Sequence, residues 1–399
     1  MLEWYHRELT SFQLCGHNRN LRQQCRFTCY DECPVLRIPI KTKSRSYEAI
    51  IEHGVLARTG EVLRKAQNGA PPAFVITVPP VRRRWGKVLA RSLESAGFSP
   101  KFIEMRDGET HKRLSTVDQL AENMVRLGAD RKALVIAFGG GVVGDVAGML
   151  ASVYMRGVKL VQIPTTVQAQ LDAAIGGKTG VNLRAGKNLV GTFYQPELVL
   201  IDPATLETLP QREFRAGMYE AVKAGIIGKP ELFDALAQAS IKDLREDGDA
   251  VTCAIAEAVR LKAGVVSADE KEGDLRRVLN LGHTLGHALE AATEYKHFLH
   301  GEAVAWGMQA AARIALEMTV CDSGTYERIR DAVHAWGPLP DVNIQNTKAL
   351  KLLRSDKKTE AGTVHFVLPR RIGKVEIVKN VPENVIVSAL AEIRRASRA

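Results

Sequence analysis

Between residues 73 and 201, short apolar runs alternate with stretches of helical spacing. Ala73-Phe-Val-Ile-Thr-Val78 has the pattern of a buried strand ended by Pro79-Pro80, and residues 85–96 repeat their apolar positions as a helix does. Residues 101–105 read as a strand, 116–127 as an amphipathic helix, and Ala133-Leu-Val-Ile-Ala-Phe138 as a strand that runs into glycines. Residues 158–163, ended by Pro164, and 199–201 complete the series. This alternation predicts a parallel sheet with helices on both faces. Ahead of it, residues 35–40 and 46–51 predict two strands around a turn.

After about Pro203 the strand signal fades, and residues 213–227, 250–267, 285–292, 303–318 and 326–335 carry the helical period. A strand pair at 363–368 and 374–378, turning at Arg370-Arg-Ile-Gly373, precedes a last helix at 383–395. The expectation is an α/β domain over residues 35–203 and a mainly α-helical domain over 204–399. A cleft between two such domains is the default place for a site. Residues 1–34 show neither period and read as a disordered extension or a misplaced start.

Composition narrows the class. With 399 residues, 45% apolar and 25% charged, the chain can bury a sizeable core. No apolar run approaches the ~18 residues of a membrane span, and the first residues lack a signal core. A cytoplasmic protein with no membrane partner is expected. The formal charge of +10 is scattered rather than massed in a stripe, which favours an anionic small substrate over nucleic acid. Arg82-Arg83-Arg84 reads as a solvated loop or helix start. Of the six cysteines, Cys15, Cys25, Cys29 and Cys33 cluster without the two-residue knuckle of a zinc site, while Cys253 and Cys321 read as buried thiols.

Three segments carry candidate chemistry. Gly139-Gly-Gly-Val-Val-Gly144-Asp145 follows a strand and opens a helix, a place where backbone can approach a phosphate. The acid expected ~20 residues on in a dinucleotide fingerprint is missing, because Ile163-Pro-Thr-Thr166 stands there. That disfavours a standard Rossmann arrangement and leaves phosphate binding or tight helix–sheet packing. Asp172-Ala-Ala-Ile-Gly-Gly-Lys178-Thr-Gly-Val-Asn182, followed by Gly186-Lys-Asn188, mixes acid, ammonium and amide groups as an anionic polyol requires. Leu171, Ile175, Leu189 and Val190 around it favour a buried polar site over a solvated loop. In Asn280-Leu-Gly-His283-Thr-Leu-Gly-His287 the two imidazoles share one helix face at a zinc-type spacing. Spacing alone leaves His283 and His287 as paired ligands, with His300 or Glu220 as a third and His297 a poorer choice.

Together these segments, with Asp107-Gly-Glu-Thr-His-Lys112, Glu220-Ala-Val-Lys223, Asp269-Glu-Lys-Glu-Gly-Asp-Leu-Arg276 and His300-Gly-Glu302, resemble the 3-dehydroquinate synthase family of sugar phosphate cyclases. The resemblance runs from about Val35 to the C-terminus. It implies an NAD-binding α/β domain and a helical domain holding one divalent metal, zinc or cobalt, on Glu220, His283 and His300. It moves His287 to proton transfer. It implies NAD contacts at Asp107, Gly108, Glu109, Thr110, His111, Lys112, Gly141, Val142, Val143, Gly144, Asp145, Thr165, Thr166, Lys178, Lys187, Thr205, Leu206, Glu207 and Thr208. The substrate pocket it implies comprises Asp172, Lys178, Asn188, Lys223, Lys262, Arg276, Asn280, His287 and one of Lys357 and Lys358. Arg156 is similar to the arginine that reaches the substrate phosphate across a homodimer interface.

The implied reaction converts 3-deoxy-D-arabino-heptulosonate 7-phosphate to 3-dehydroquinate and phosphate in the shikimate pathway. NAD oxidises a ring hydroxyl, phosphate is eliminated, the ketone is reduced again, and an intramolecular aldol step closes the ring. One departure from the family pattern is Pro79-Pro80-Val81, where a polar residue commonly meets the adenosine ribose. Arg82, Arg83 and Arg84 raise NADP as a less favoured cofactor. Rival readings are a valiolone-type or aminated cyclase, a metal-dependent polyol dehydrogenase that would release NADH, and a zinc or nucleic-acid binder using the N-terminal cysteines.

Overall fold

The structure, a computed structural model, describes residues 35–67, 69–355 and 364–398. The extension at 1–34 with its four cysteines, and Lys357 and Lys358, lie outside the described residues. Strands β1 (Leu36–Lys41), β2 (Ser46–Ile51), β3 (Ala73–Thr77), β4 (Pro100–Glu104), β5 (Leu134–Gly139) and β6 (Lys159–Pro164) precede a hairpin of β7 (Lys178–Leu183) and β8 (Gly186–Phe193); β9 (Leu198–Ile201) follows. Helices α1 (Thr59–Ala66), α2 (Pro79–Ser95), α3 (Leu114–Arg126) and α4 (Gly141–Val153) lie between them.

The main sheet has seven strands in the order β1-β2-β9-β6-β5-β3-β4. Only β1 against β2 is antiparallel; the other pairings are parallel. Every residue of β3, β5 and β9 is buried, which explains their uninterrupted apolar runs: helices cover both faces of a parallel sheet. From β3 the chain steps outward to β4, then crosses back to β5 on the other side and continues to β6 and β9. The strand order therefore reverses between β3 and β5. In open α/β sheets ligands bind outside the carboxyl ends of the strands at such a reversal. Thr77 pairs with Phe138, so Gly139 and the start of α4 open at this point.

The second half contains α5 (Gln211–Gly228), α6 (Pro230–Gln238), α7 (Ile241–Glu246), α8 (Gly248–Ala268), α9 (His283–Ala292), α10 (His300–Glu317), α11 (Ser323–His334), α12 (Asn346–Ser355), the antiparallel pair β10 (His365–Arg371) and β11 (Lys374–Lys379), and α13 (Glu383–Ala396). Ile38 and Ile40 of β1 and Tyr47 of β2 join Val222, Ile255 and Trp306 in one apolar core. The first strands thus help to fix the helical half. Glycines bring its helices into backbone contact: a Cβ on Gly301 would lie 1.7 Å from the Ala216 carbonyl oxygen of α5, and one on Gly307 would lie 1.8 Å from that of Gly282.

Three local expectations change. Helix α2 begins at Pro79, six residues before the predicted start at residue 85, because prolines fit a first turn whose N–H groups need no partner. Arg82, Arg83 and Arg84 are exposed on it, with the Arg82 guanidinium 5.0 Å from the Phe102 ring centroid. The polar stretch after Lys178 folds as a hairpin, whose Gly191 leaves a would-be Cβ only 2.1 Å from the Thr179 carbonyl oxygen. Cys321 is a buried free thiol as expected, whereas Cys253 is disulfide-bonded rather than free. Among the described residues, no helix is long and apolar enough to cross a membrane.

Candidate active site

Glu220 lies on the buried stretch of α5 and is 2% exposed. His283 and His300 are the first residues of α9 and α10, so two helix starts converge on one carboxylate. The turn into α9 uses Gly282 at φ 77, which permits the close approach to Val304 and Met308. Glu220 Oε1 lies 3.9 Å from His283 Nε2 and 3.4 Å from His300 Nε2. Ligand atoms around a tetrahedral ion with bonds of ~2.1 Å are roughly 3.4 Å apart, close to this spacing. His283 Nδ1 faces the Leu281 carbonyl at 3.1 Å and His300 Nδ1 faces Glu290 Oε2 at 3.1 Å, which leaves both Nε2 atoms for the centre. Both Glu220 oxygens are buried without a well-formed hydrogen bond, although Lys223 forms an ion pair with Oε2. A buried carboxylate with Oε1 unbonded, beside two imidazoles, fits a divalent cation.

Among the described residues a second donor set, His287, Glu290 and His300, converges beside the first. The His287 ring centroid is 5.3 Å from that of His283 and 5.9 Å from that of His300. The electrostatics follow from burial and pairing. Burial raises Glu220, but Lys223 and His300 outweigh it and hold its pKa low. Burial lowers His300, yet Glu290 and Glu220 push it up to about 10 when no ion is present. Glu290 is likewise drawn down to about 2 by His300, Lys187 and His287 against its own desolvation.

Asp172 sits in a short π-turn, Ala169–Ala173, after β6. Lys262 of α8 donates to both the Asp172 carbonyl and Oδ1 at 2.7 Å. Asp172, Glu220, Lys223 and Lys262 line one small cavity. Burial alone would raise Asp172, but Lys262 and Lys223 hold it well below the usual carboxylate range. Burial drops Lys262 to about 8, with Asp172 opposing the fall, whereas Lys223 is raised by Glu220 and Asp172 in spite of burial. Arg276 is 2% exposed and donates to the Glu270 and Gly176 carbonyls at 2.6 and 3.0 Å. It therefore holds the Gly176 turn. Lys178, half exposed, pairs with Glu272 Oε2 at 2.6 Å, and Asn280 Nδ2 donates to Glu272 Oε1 at 3.4 Å.

The glycine loop divides its work. Gly139 is required by packing, since its Cβ would meet Val143 at 2.6 Å, whereas a Cβ on Gly141 would only touch Ala173 at 3.4 Å. Thr77 Oγ1 and Thr165 Oγ1, at the carboxyl ends of β3 and β6, are buried with no partner. Lys112 forms an ion pair with Asp145 and donates to Asn188 Oδ1 at 2.5 Å, while Asn182 Nδ2 donates to Glu109 Oε1 at 2.8 Å. The segment 107–112, the helix start at Val142–Asp145 and the hairpin are thereby tied together. Thr205 and Leu206 are buried: Thr205 Oγ1 accepts from Gln170 at 3.0 Å, and Leu206 packs in the apolar core. Thr208 Oγ1 accepts from Trp85 at 3.2 Å, and Glu207 lies 3.9 Å from His53.

Arg156 is exposed in a left-handed turn, with φ 46, 69 and 118 at Met155, Arg156 and Gly157. It precedes β6, whereas Thr165, Thr166 and Asp172 follow it, so a strand of roughly 20 Å separates the two edges. Glu272 and Glu290 were not assigned roles in the sequence. Glu290 lies three residues after His287 on the same helix face, a signal that was available.

A glycine loop at a sheet reversal, joined to a helical half with a Glu/His/His donor set, defines a nucleotide- and metal-dependent two-part enzyme class. The valiolone synthase ValA (2-epi-5-epi-valiolone synthase) from Streptomyces hygroscopicus subsp. jinggangensis 5008, solved with NAD+ and Zn2+, shares the fold at TM-score 0.80 and 32% identity, over 90% of this chain and 98% of that one. Profiles described as 3-dehydroquinate synthase N-terminal and C-terminal match residues 102–216 and 217–359. A 3-dehydroquinate synthase of Koribacter versatilis (strain Ellin345) is 50% identical over 90% of this chain and 99% of its own length. One from Solibacter usitatus (strain Ellin6076) is 48% identical over 88% and 97%. The chain belongs to the 3-dehydroquinate synthase family.

Proposed function

We infer that this chain converts 3-deoxy-D-arabino-heptulosonate 7-phosphate to 3-dehydroquinate and phosphate, with NAD and one divalent ion, zinc or cobalt. The observation that carries the reading is that Glu220 belongs both to a donor set with His283 and His300 and to the lining of a small cavity shared with Asp172, Lys223 and Lys262. Relatives of that name align over nearly their whole length. Residues 35–203 form the cofactor-binding part and 204–399 the metal- and substrate-binding part in this reading.

Glu220, His283 and His300 would hold the ion, and Gly141 with the start of α4, Thr165 and Thr166 would face the dinucleotide phosphates. When bound, NAD would accept a hydride and give it back within the cycle, and the ion would supply Lewis acidity. The remaining work belongs to the chain. Asp172, kept ionised by Lys262 and Lys223, accepts hydrogen bonds from substrate hydroxyls. Lys223 and Lys262 donate to the anionic substrate, and the amides of Asn188 and Asn280 orient it. The Lys178 ammonium exchanges Glu272 for a substrate phosphate, a charge-assisted bond of the same kind. His287 moves a proton beside the ion.

Arg156 is exposed and lies a strand's length from Thr165 and Thr166 of its own chain, and this reading assigns it to the site of a second copy in a homodimer. No nucleic-acid or membrane partner enters this reading. The test is phosphate release from the heptulosonate phosphate with NAD in catalytic amount. Turnover that stops on chelation and returns with zinc or cobalt is expected. NADH accumulating in step with substrate would overturn the cyclase in favour of a dehydrogenase.

A further inference from the structure

The two histidine ligands are held differently. His283 Nδ1 faces a neutral backbone carbonyl, that of Leu281, at 3.1 Å. His300 Nδ1 faces a carboxylate, Glu290 Oε2, at the same 3.1 Å, while its Nε2 lies 3.4 Å from Glu220. Glu290 is 3% exposed, and its other oxygen accepts from Lys187 Nζ at 3.1 Å. Lys187 belongs to β8 of the hairpin and lies 4.1 Å from the ring centroid of Tyr295. A buried carboxylate is costly unless paired, and here it is paired on both oxygens.

We propose that Glu290 is a positioning residue for the metal ligand His300, locked in turn by Lys187 of the hairpin. The proposal rests on the metal site described above. A carboxylate on Nδ1 keeps the proton there, leaves the Nε2 lone pair for the ion, fixes the ring plane and makes the imidazole a stronger donor. A ligand role for Glu290 itself, through the His287–Glu290–His300 set, is the rival arrangement, and it excludes the first wherever Nδ1 of His300 is the donor atom. That nitrogen cannot both carry the proton that completes the first set and bind a second ion.

The test measures metal affinity, not turnover. Apoproteins of the wild type, Glu290→Gln, Glu290→Leu and the control His283→Ala are titrated with Co2+ against a competing chelator, recording the visible spectrum. Unfolding of each apoprotein by urea is followed separately. Removing such an outer partner costs about 10–100-fold in metal affinity. Glu290→Gln, which retains an acceptor, is expected to lose affinity in that range, and Glu290→Leu to lose more. Both should still bind one ion with an unchanged coordination number. Glu290→Asp, whose carboxylate falls short by one methylene, should lie between Glu290→Gln and the wild type; it substitutes if a larger change fails to fold. Wild-type affinity in Glu290→Gln overturns the proposal. A changed coordination number, with loss as complete as in His283→Ala, makes Glu290 a ligand and overturns it too. Undiminished binding in His283→Ala is a separate failure, that of the metal site itself.

Discussion

Gly301→Ala is the sharpest perturbation of the proposed metal centre, although residue 301 supplies no ligand. Gly301 follows His300 at the start of α10, where that helix rests on α5, the helix of Glu220. A Cβ there would sit 1.7 Å from the Ala216 carbonyl oxygen and 2.5 Å from its carbon, against 3.4 Å or more for ordinary contact. The obstacle is backbone, so no side-chain rotation relieves it, and the helices must part by roughly 1.5 Å or the start of α10 must unwind. Metal sites tolerate about 0.2 Å in ligand position, so a shift of that size separates Glu220 from His300 beyond shared coordination. Overpacking of this kind costs about 1–3 kcal/mol, and a rigid obstacle places this case at the upper end. Expected are a protein that folds with reduced urea stability, elutes from gel filtration without its ion, and has lost phosphate release. Gly264→Ala on α8 is the control: nothing lies within 4 Å of its Cβ, and a helical glycine replaced by alanine gains about 0.5–1 kcal/mol. Gly301→Ala with wild-type metal content and turnover would refute the packing argument.

Three further outcomes follow from the same geometry. Glu220→Gln removes one ligand and leaves Lys223 buried without its ion pair, so one-ion binding is expected to disappear from metal analysis and stability to fall by about 3–5 kcal/mol in urea; retention of the ion would count against the ligand set. The fall of Lys262 from 10.5 to about 8 means that the folded state loses this proton first. The unfolded chain therefore binds more protons between pH 8 and 10.5, and the penalty of about 3 kcal/mol, fully present below pH 8, is relieved as pH rises. The stability difference between wild type and Lys262→Met should move toward the wild type across that window, and a flat difference would contradict it. Finally, Lys178→Ala and Arg156→Ala should each abolish most turnover while folding normally, since Arg156 is exposed and Lys178 half-exposed. Mixed and refolded together, they should regain activity, because one shared site then has both residues intact; no recovery on mixing would remove Arg156 from the partner's site.

The parallel sheet was legible because burial on both faces writes a continuous apolar run, as in Leu134-Val-Ile-Ala-Phe138. The hairpin after Lys178 was not, because its register depends on Gly180 and Gly191 meeting face to face, and glycines at that spacing carry no periodic signal. Helices α1, α6, α7 and α12 were not read from the sequence, although α9, as short as α12, was. The ligand set shows the same divide. Spacing on α9 paired His283 with His287, but Glu220 meets His283 and His300, because contact between α5 and α10 at Gly301 is a tertiary fact. Resemblance to the family named that set where periodicity alone left it open. At Leu206 the resemblance implied a cofactor contact, and its side chain lies in the apolar core, which leaves only its backbone for that role.

The charges of the pocket are arranged in compensating pairs. Asp172 pairs with Lys262 and Glu220 with Lys223, so two acids and two ammonium groups cancel inside a region where an unpaired charge would be expensive. Glu220, if it held a divalent ion, would need its Lys223 partner less, and that ammonium would then be free to meet an anionic substrate. Lys178 and Glu272 repeat the device nearer to solvent, where exchanging one anion for another costs less. The two buried pairs and the half-exposed one differ in what breaking them costs, so Lys178 is the cation that an incoming anion would most readily take over.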